Sequence, residues 1–324
     1  MILAGDIGGT KTVLSLLEED KSGRFICLKE QVFLSQQFLA FNDVLDVFLP
    51  KDHSINSACF GIAGPIINQR CQTTNLPWLL EAESLKTKFH GAQVKLLNDL
   101  EAMALGMLHL SENELLELNP SGETEIGNIA VIAPGTGLGQ ALLFWDGNTH
   151  QPIATEGGHT DFAPVNKNQD FLLDYLRAIF PDHVSYERIL SGDGFSHLYD
   201  FICAMKIAEP SIFVPQANDV VDRNAIISQL GIEGADKACV ETLRLFVEIL
   251  GAETGNLTLK SLSTGGVFIG GGICPKIVTA LQDGVFIDAF KAKGRFNTLL
   301  DKVSIKLSLN PRTPLLGAIN YFSR

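Results

Sequence analysis

Ile2-Leu3-Ala4-Gly5-Asp6-Ile7-Gly8-Gly9-Thr10-Lys11-Thr12, continued by Val13-Leu14-Ser15-Leu16-Leu17, is an apolar run, a Gly/Thr turn and a second apolar run. That is the pattern of a β-hairpin with a glycine-rich connection. The layout returns at Ile129-Ala130-Val131-Ile132-Ala133-Pro134-Gly135-Thr136-Gly137-Leu138-Gly139-Gln140, continued by Ala141-Leu142-Leu143-Phe144-Trp145. Residue by residue the echo is weak, but the layout is consistent. It predicts a duplicated unit with one copy in each domain, and 324 residues at roughly 150 per domain agree with two.

Around the hairpins, helical and extended patterns alternate. Phe38 to Phe48 has apolar residues at helical spacing, and Ser57 to Ile62 and Val94 to Leu97 read as strands. Asn98 and Asp99 open a helix whose apolar positions are Leu100, Met103, Ala104, Met107 and Leu108. After the second hairpin come a helix from Asp170 to Phe180 stopped by Pro181, a long helix from about Asp236 to Leu262, and a buried strand Val267-Phe268-Ile269. A strand at Ser304 to Leu309 and a helix at Leu315 to Phe322 close the chain. This alternation predicts an α/β fold.

Composition excludes several classes. Hydrophobic residues are 46% and charged residues 19%, so a disordered chain or coiled coil is ruled out. A net charge of −12 without any Lys/Arg run makes nucleic acid a poor partner. Six dispersed cysteines, with no CxxC and no Cys/His cluster, argue against structural zinc or a disulfide framework. Buried reduced thiols and a reducing compartment are expected. Ile126 to Trp145 is uncharged over a membrane-spanning length, but Pro134 and its glycines favour strand–turn–strand. With no basic segment ahead of Asp6, the chain reads as cytoplasmic, without a membrane partner.

Glycine supplies 30 residues, and the surplus is clustered at Gly5, Gly8 and Gly9, at Gly135, Gly137 and Gly139, at Gly157 and Gly158, and from Gly265 to Gly272. The P-loop pattern GxxxxGKS/T is absent, and Gly135 to Gly139 neither matches GxGxxG nor precedes a helix, which disfavours a Rossmann dinucleotide site. What remains is a pair of hairpin turns whose backbone N–H groups converge on phosphate, with Thr10 and Thr136 adding hydroxyls. Asp6 stands where the first strand meets its turn, suited to holding Mg²⁺ through water. Two ordinary hairpins with flexible turns are the plainer alternative.

Gly5-Asp6-Ile7-Gly8-Gly9-Thr10, Asn98-Asp99, Pro134-Gly135-Thr136-Gly137-Leu138-Gly139 and Gly265-Gly266-Val267-Phe268-Ile269-Gly270-Gly271-Gly272 occur in this order. The ordered set resembles the actin-like (ribonuclease-H-like) sugar-kinase ATPases. Thr74-Asn75-Leu76-Pro77-Trp78, Glu156 to Pro164, Ser185 to Gly192 and Lys293-Gly294-Arg295-Phe296 make it more specifically similar to the bacterial glucokinase family. The missing zinc motif sets it apart from the ROK kinases.

That resemblance implies two α/β domains with a cleft between them, divided as 1–109 plus 301–324 and 110–300. It further implies a homodimer and ATP- and Mg²⁺-dependent phosphorylation of glucose at its 6-hydroxyl. Gly5, Gly8, Gly9, Thr10, Lys11, Gly135, Thr136, Gly137 and Gly139 would then face phosphate, and Gly270 and Gly271 would lie against adenosine. Lys11 departs from the family pattern, where Asn follows the Thr in some members; it either touches phosphate or is solvated. A non-catalytic sugar sensor, a kinase for another hexose and a kinase using polyphosphate are the competing functions.

By the same resemblance Asp99 is the catalytic base. Alone, Asn98-Asp99 is equally what a helix start needs. Glu156 and His159 flank Gly157-Gly158, and alone they suit a metal pair or a backbone-bonded loop histidine; the resemblance assigns both to sugar hydroxyls. Glu187 would be favourable in a helix first turn for dipole reasons alone; the resemblance makes it a second sugar carboxylate, with Asn75, Asn98 and Asp99 completing a polar ring. Trp78 and Trp145 read as core or edge aromatics.

Overall fold

The computed structural model describes residues 1–324 apart from 22, 51, 74, 121–124, 217–221 and 324. They form two units, one from Met1–Ser111 with Asn310–Arg324 and one from Glu112–Leu309.

The first unit carries strands Ile2–Ile7 (β1), Lys11–Glu19 (β2), Phe25–Leu34 (β3), Ser57–Ile62 (β4), Arg70–Gln72 (β5), Leu79–Glu81 (β6) and Gln93–Asn98 (β7). Its first helices are Phe41–Phe48 (α1), Ala82–Lys88 (α2) and Asp99–Met107 (α3). The main sheet runs β3-β2-β1-β4-β7, antiparallel from β1 through β3 and parallel from β1 through β7. All six residues of β4 are buried, as a central parallel strand requires. Ile7 pairs with Ile62, and Ile62 with Asn98, so the three parallel strands end level. Asp6 and Asn98-Asp99 are thereby delivered to one sheet edge, two strand spacings or roughly 10 Å apart. Helix α1 begins at Phe41 rather than Phe38, because Ser35–Gln37 forms a 3-10 turn and Ala40 is extended, its N–H donating to the Asp43 carboxylate at 3.0 Å.

The second unit carries Leu115–Glu117 (β8), Ile129–Pro134 (β9), Leu138–Trp145 (β10), His150–Thr155 (β11), Gly266–Ile269 (β12) and Ile305–Ser308 (β13). Its helices are Lys167–Ile179 (α4), Gly192–Ala204 (α5), Arg223–Ile232 (α6), Lys237–Ser261 (α7), Val278–Leu281 (α8), Val285–Lys291 (α9) and Asn297–Asp301 (α10). The sheet runs β11-β10-β9-β12-β13-β8. From β11 to β13 this repeats the first unit: an antiparallel three-strand meander followed by two strands parallel to its first. Strand β8 adds an antiparallel edge. The expected duplication is therefore present, and the uncharged 126–145 stretch is largely the β9–β10 hairpin. Among the described residues no helix is long and apolar enough to cross a membrane.

The last helix, Thr313–Asn320 (α11), packs in the first unit against α3. A Cβ on Gly106 would stand 1.8 Å from the Thr313 carbonyl oxygen, and one on Gly317 would stand 1.8 Å from that of Ala102, so glycine lets the two helices touch backbone to backbone. This covering explains why Ala102, Leu105 and Gly106 are buried along with Ala104 and Met107, whereas Leu108, which helical spacing also singles out, is exposed and Leu100 and Met103 are half-buried. The chain crosses back at 310, not 301: β13 pairs with β12 and β8, and the Leu309 N–H bonds the Glu114 carbonyl, which keeps 301–309 in the second unit. Of the six free cysteines Cys27 is exposed, contrary to the expectation of burial, because it lies on the edge strand β3.

Candidate active site

In the first unit the β1–β2 turn is braced from behind. The Gly8 N–H donates to the Lys11 carbonyl at 2.9 Å, and the Ser35 hydroxyl donates to the Gly8 carbonyl at 2.8 Å. Ser35 also lies 3.0 Å from the Thr12 hydroxyl and sends its own N–H to the Thr10 carbonyl. A Cβ on Gly9 would come within 2.9 Å of the Asn75 Cβ, so the turn rests against the β5–β6 loop. Thr10 and Lys11 are exposed, and so is Asn75. Gly5 is a correction: it is buried inside β1, where a Cβ would meet Phe60 at 2.7 Å and Leu14 at 2.8 Å. Its smallness therefore serves core packing, not a phosphate turn.

Asn98 caps α3. Its Oδ1 accepts from the Leu100 N–H at 2.9 Å, its Nδ2 donates to the Gly64 carbonyl at 3.1 Å, and its N–H donates to the Glu101 carboxylate at 2.9 Å. That is a capping box, so this amide is engaged in building the helix start. Asp99, half-buried, is the first helical residue, where the helix N-terminus favours a carboxylate. Burial pushes the Asp6 carboxyl from 3.8 up to about 6, and the Asp99 charge adds to the rise. The buried Cys71 thiol is raised by the same two causes in the same order. Two carboxylates thus share one sheet end and feel each other's charge, an arrangement that a cation would relieve.

In the second unit the glycine clusters stack on one another. Gly135 donates to the Gly137 carbonyl at 2.8 Å, and Gly192, the first residue of α5, donates to the Gly135 carbonyl at 2.9 Å. Gly271 has φ +80°, and a Cβ there would lie 2.2 Å from the Pro134 oxygen, so both backbone and space demand glycine. Gly270 donates to the Ile132 carbonyl at 2.9 Å. Gly139 lies within β10, opposite Ala133, and so belongs to the strand more than to the turn. Beside the turn opens a cavity of about 560 Å³ lined by Gly135, Thr136, Gly192, Asp193, Phe195, Asn224, Ser228, Gly272 and Lys276, among others. Sequence reading missed Asp193, Asn224, Ser228 and Lys276, which come from three separate segments with no shared motif; only the Ser191-Gly192 step pointed near them.

The sugar candidates of this unit meet next to the same turn. Glu187 sits in the 3-10 turn Tyr186–Arg188 and accepts the Leu138 N–H at 2.9 Å. A Cβ on Gly137 would stand 2.4 Å from its Oε2. His159 Nδ1 lies 3.8 Å from Glu187 Oε1. The two are aligned because Tyr186 donates to the Thr160 carbonyl and Phe162 to the Val184 carbonyl. Glu156 and His159 share one turn, with the His159 N–H on the Glu156 carbonyl at 3.0 Å, and both are exposed. Gly157-Gly158 is required by contact with β10: Cβ atoms there would stand 2.1 Å from Gln140 Oε1 and 2.0 Å from the Leu138 carbonyl. Among the described residues no three His, Cys, Asp or Glu gather as a metal cage. Trp78 is buried and donates to the Phe38 carbonyl at 3.1 Å, while Trp145 packs on His150; both are structural.

Comparison with known proteins gives the family and the fold. A family model described as glucokinase matches residues 3–324. A glucokinase from Trichormus variabilis is 37% identical over 98% of this chain and 97% of its own. One from Nostoc punctiforme is 38% identical over the same shares. The crystal structure of a glucokinase from an Antarctic psychrotroph superposes with a TM-score of 0.87 at 31% identity, covering 99% of this chain and 98% of that one.

Proposed function

This chain belongs to the glucokinase family and has its actin-like α/β fold, and from that premise we propose how its own residues transfer the terminal phosphoryl group of ATP to the 6-hydroxyl of glucose. The sugar oxygen attacks the terminal phosphorus, the bond to ADP breaks, and Asp99 takes the hydroxyl proton. Little covalent chemistry is asked of the protein in such a transfer, so placement and charge dominate. The observation that carries this reading is Asp99 at the carboxyl end of the first sheet, fixed at the start of α3 beside Asp6.

Asp6 is the residue that would hold Mg²⁺ through water, and the two carboxylates that share this sheet end fit a cation there. When bound, the ion supplies positive charge to the phosphate oxygens. Asn75, Asn98, Glu156, His159 and Glu187 are assigned to the sugar hydroxyls. The carboxylates accept and imidazole does either, so a hexose missing a hydroxyl leaves polar groups unpaired. Gly8 to Lys11 and Gly135 to Gly137 serve the phosphates, the second turn aided by the positive end of α5. The cavity bordered by Gly135, Gly192 and Gly272 takes the nucleoside.

The test is ADP release from a panel of hexoses with Mg-ATP, for wild type and Asp99→Asn. Glucose-dependent turnover retained in the variant sinks the base assignment, and better turnover of another hexose reassigns the substrate. A cytoplasmic homodimer remains part of this proposal, with light scattering in solution as the check on its stoichiometry.

A further inference from the structure

Behind the sugar-side turns of the second unit lies a buried polar chain that the reaction itself does not use. Glu253 of α7 is 0% exposed, Gln140 of β10 is 3% exposed, and Tyr186 is 2% exposed. Gln140 Nε2 donates to Glu253 Oε1 at 2.9 Å. Asn256 Nδ2 donates to Glu253 Oε2 and to the Tyr186 hydroxyl, each at 3.1 Å, and Lys293 Nζ donates to Asn256 Oδ1 at 2.7 Å. The Tyr186 hydroxyl is also bonded to Glu253 and to the Ala163 backbone. Both ends of the chain touch the site. Gln140 is the surface on which Gly157 rests, next to Glu156, and Tyr186 is the residue before Glu187.

A carboxylate in this position costs desolvation, and apolar neighbours such as Leu250 and Leu257 show that the helix is otherwise packed in a hydrophobic core. Its chemistry supplies what an apolar side chain lacks. Both Glu253 oxygens accept amide donors, so Gln140 presents Nε2 inward and leaves Oε1 facing the Gly157 backbone. It also gathers the Asn256 amide and Tyr186 hydroxyl at its other oxygen. We propose that Glu253 is a positioning residue: through Gln140 on one side and Asn256 and Tyr186 on the other, it sets the Glu156–His159 turn and the Glu187 turn at the separation one hexose requires. The inference rests on the assignment of those three side chains to the sugar.

Glu253→Gln keeps the shape but can donate, which frees the Gln140 amide to flip. Tyr186→Phe removes one hydroxyl and serves if the first variant does not fold. For each, and for Glu187→Gln, the KM values for glucose and ATP, kcat, and the glucose-to-2-deoxyglucose selectivity are measured on the full chain. Loss of one charge-assisted link predicts a glucose KM raised roughly tenfold in Glu253→Gln and about threefold in Tyr186→Phe. The KM for ATP holds within about twofold and selectivity narrows. If Glu187→Gln raises the glucose KM while Glu253→Gln and Tyr186→Phe leave both KM and selectivity unchanged, the positioning role is overturned. If Glu187→Gln itself leaves glucose KM unchanged, the sugar assignment beneath it fails instead. Equal rises in both KM values mark a general loss of structure and also overturn the inference.

Discussion

The two glycine turns close equivalent hairpins at the ends of equivalent parallel strands, yet they are held in opposite ways. The penultimate residue of β1 is Asp6, whose carboxyl is raised to about 6; its counterpart in β9 is Ala133, 6% exposed. The first turn is braced by a hydroxyl, Ser35, pressing on its carbonyls. The second is braced by backbone, with Gly192 bonded to it and Gly271 packed beneath it, and it borrows its acid from elsewhere, since Glu187 bonds the Leu138 N–H. One duplicated scaffold has thus kept charge in one copy and close backbone approach in the other. On the proposed reading, phosphoryl transfer would draw on both, a base with a cation from the first copy and a backbone cradle for the nucleotide from the second.

Four variants and one wild-type pH series bear on that contrast. The largest effect is expected from Asp99→Asn, with kcat lower by about 10²–10⁴ and a folded protein by circular dichroism. Wild-type kcat in that variant would move the acid–base work away from the first unit. Asp6→Asn comes next, raising the Mg²⁺ concentration for half-maximal activity by about 10–100-fold. Because the folded Asp6 binds its proton more tightly than the unfolded chain does, its contribution to stability is complete below 3.8 and is lost as pH rises through about 6. The same variant should therefore be more stable than wild type at pH 7, by about 3 kcal/mol, and urea titration at pH 4 and pH 7 checks the sign. In the wild type, proton and cation compete for this carboxylate, so the Mg²⁺ concentration for half-maximal activity should rise as pH falls below about 6.

Gly137→Ala probes the second turn. Its methyl meets only the end of the Glu187 side chain, so that carboxylate swings away. The glucose KM should rise about tenfold, because a buried or half-buried charged hydrogen bond is lost, while the melting temperature barely moves. A large drop in stability would show that this turn is a packing element like Gly5. The smallest effect on chemistry and a clear one on stability come from Gly317→Ala. Helix propensity alone favours alanine by about 1 kcal/mol, but the clash with the Ala102 carbonyl should dominate and destabilise by about 1–3 kcal/mol in a denaturant titration.

Much of this was legible in the chain because it is local. The paired hairpins follow from apolar runs around glycine, and α7 from a long periodic stretch ended by Leu262 in a left-handed conformation, φ +45°. Asn98 betrayed the start of α3 because capping is a one-turn affair. What sequence could not give is non-local. Glu253 lies in a stretch whose spacing allows a solvent-facing carboxylate, and only the arrival of Gln140 and Asn256 shows it buried. Helices α5 and α6 wall the large cavity, but Asn224 and Ser228 carry no pattern that marks a ligand. Gly5 reads as part of the turn because its neighbours are, whereas Phe60, far along the chain, decides its role.

The seating of α11 on α3 also has a temporal side. Asp99 stands at the head of a helix whose flank is closed only by residues 313–320. At ~5–20 residues per second, synthesis of the intervening 112–309 takes roughly 10–40 s. Throughout that interval the Gly106 backbone and the Ala102 carbonyl lack the helix that covers them, and the first unit waits, incomplete, while the second is free to fold. Completion of the Asp99 helix is thus coupled to the arrival of residues 313–320: a chain cut before residue 313 leaves that helix without its covering neighbour.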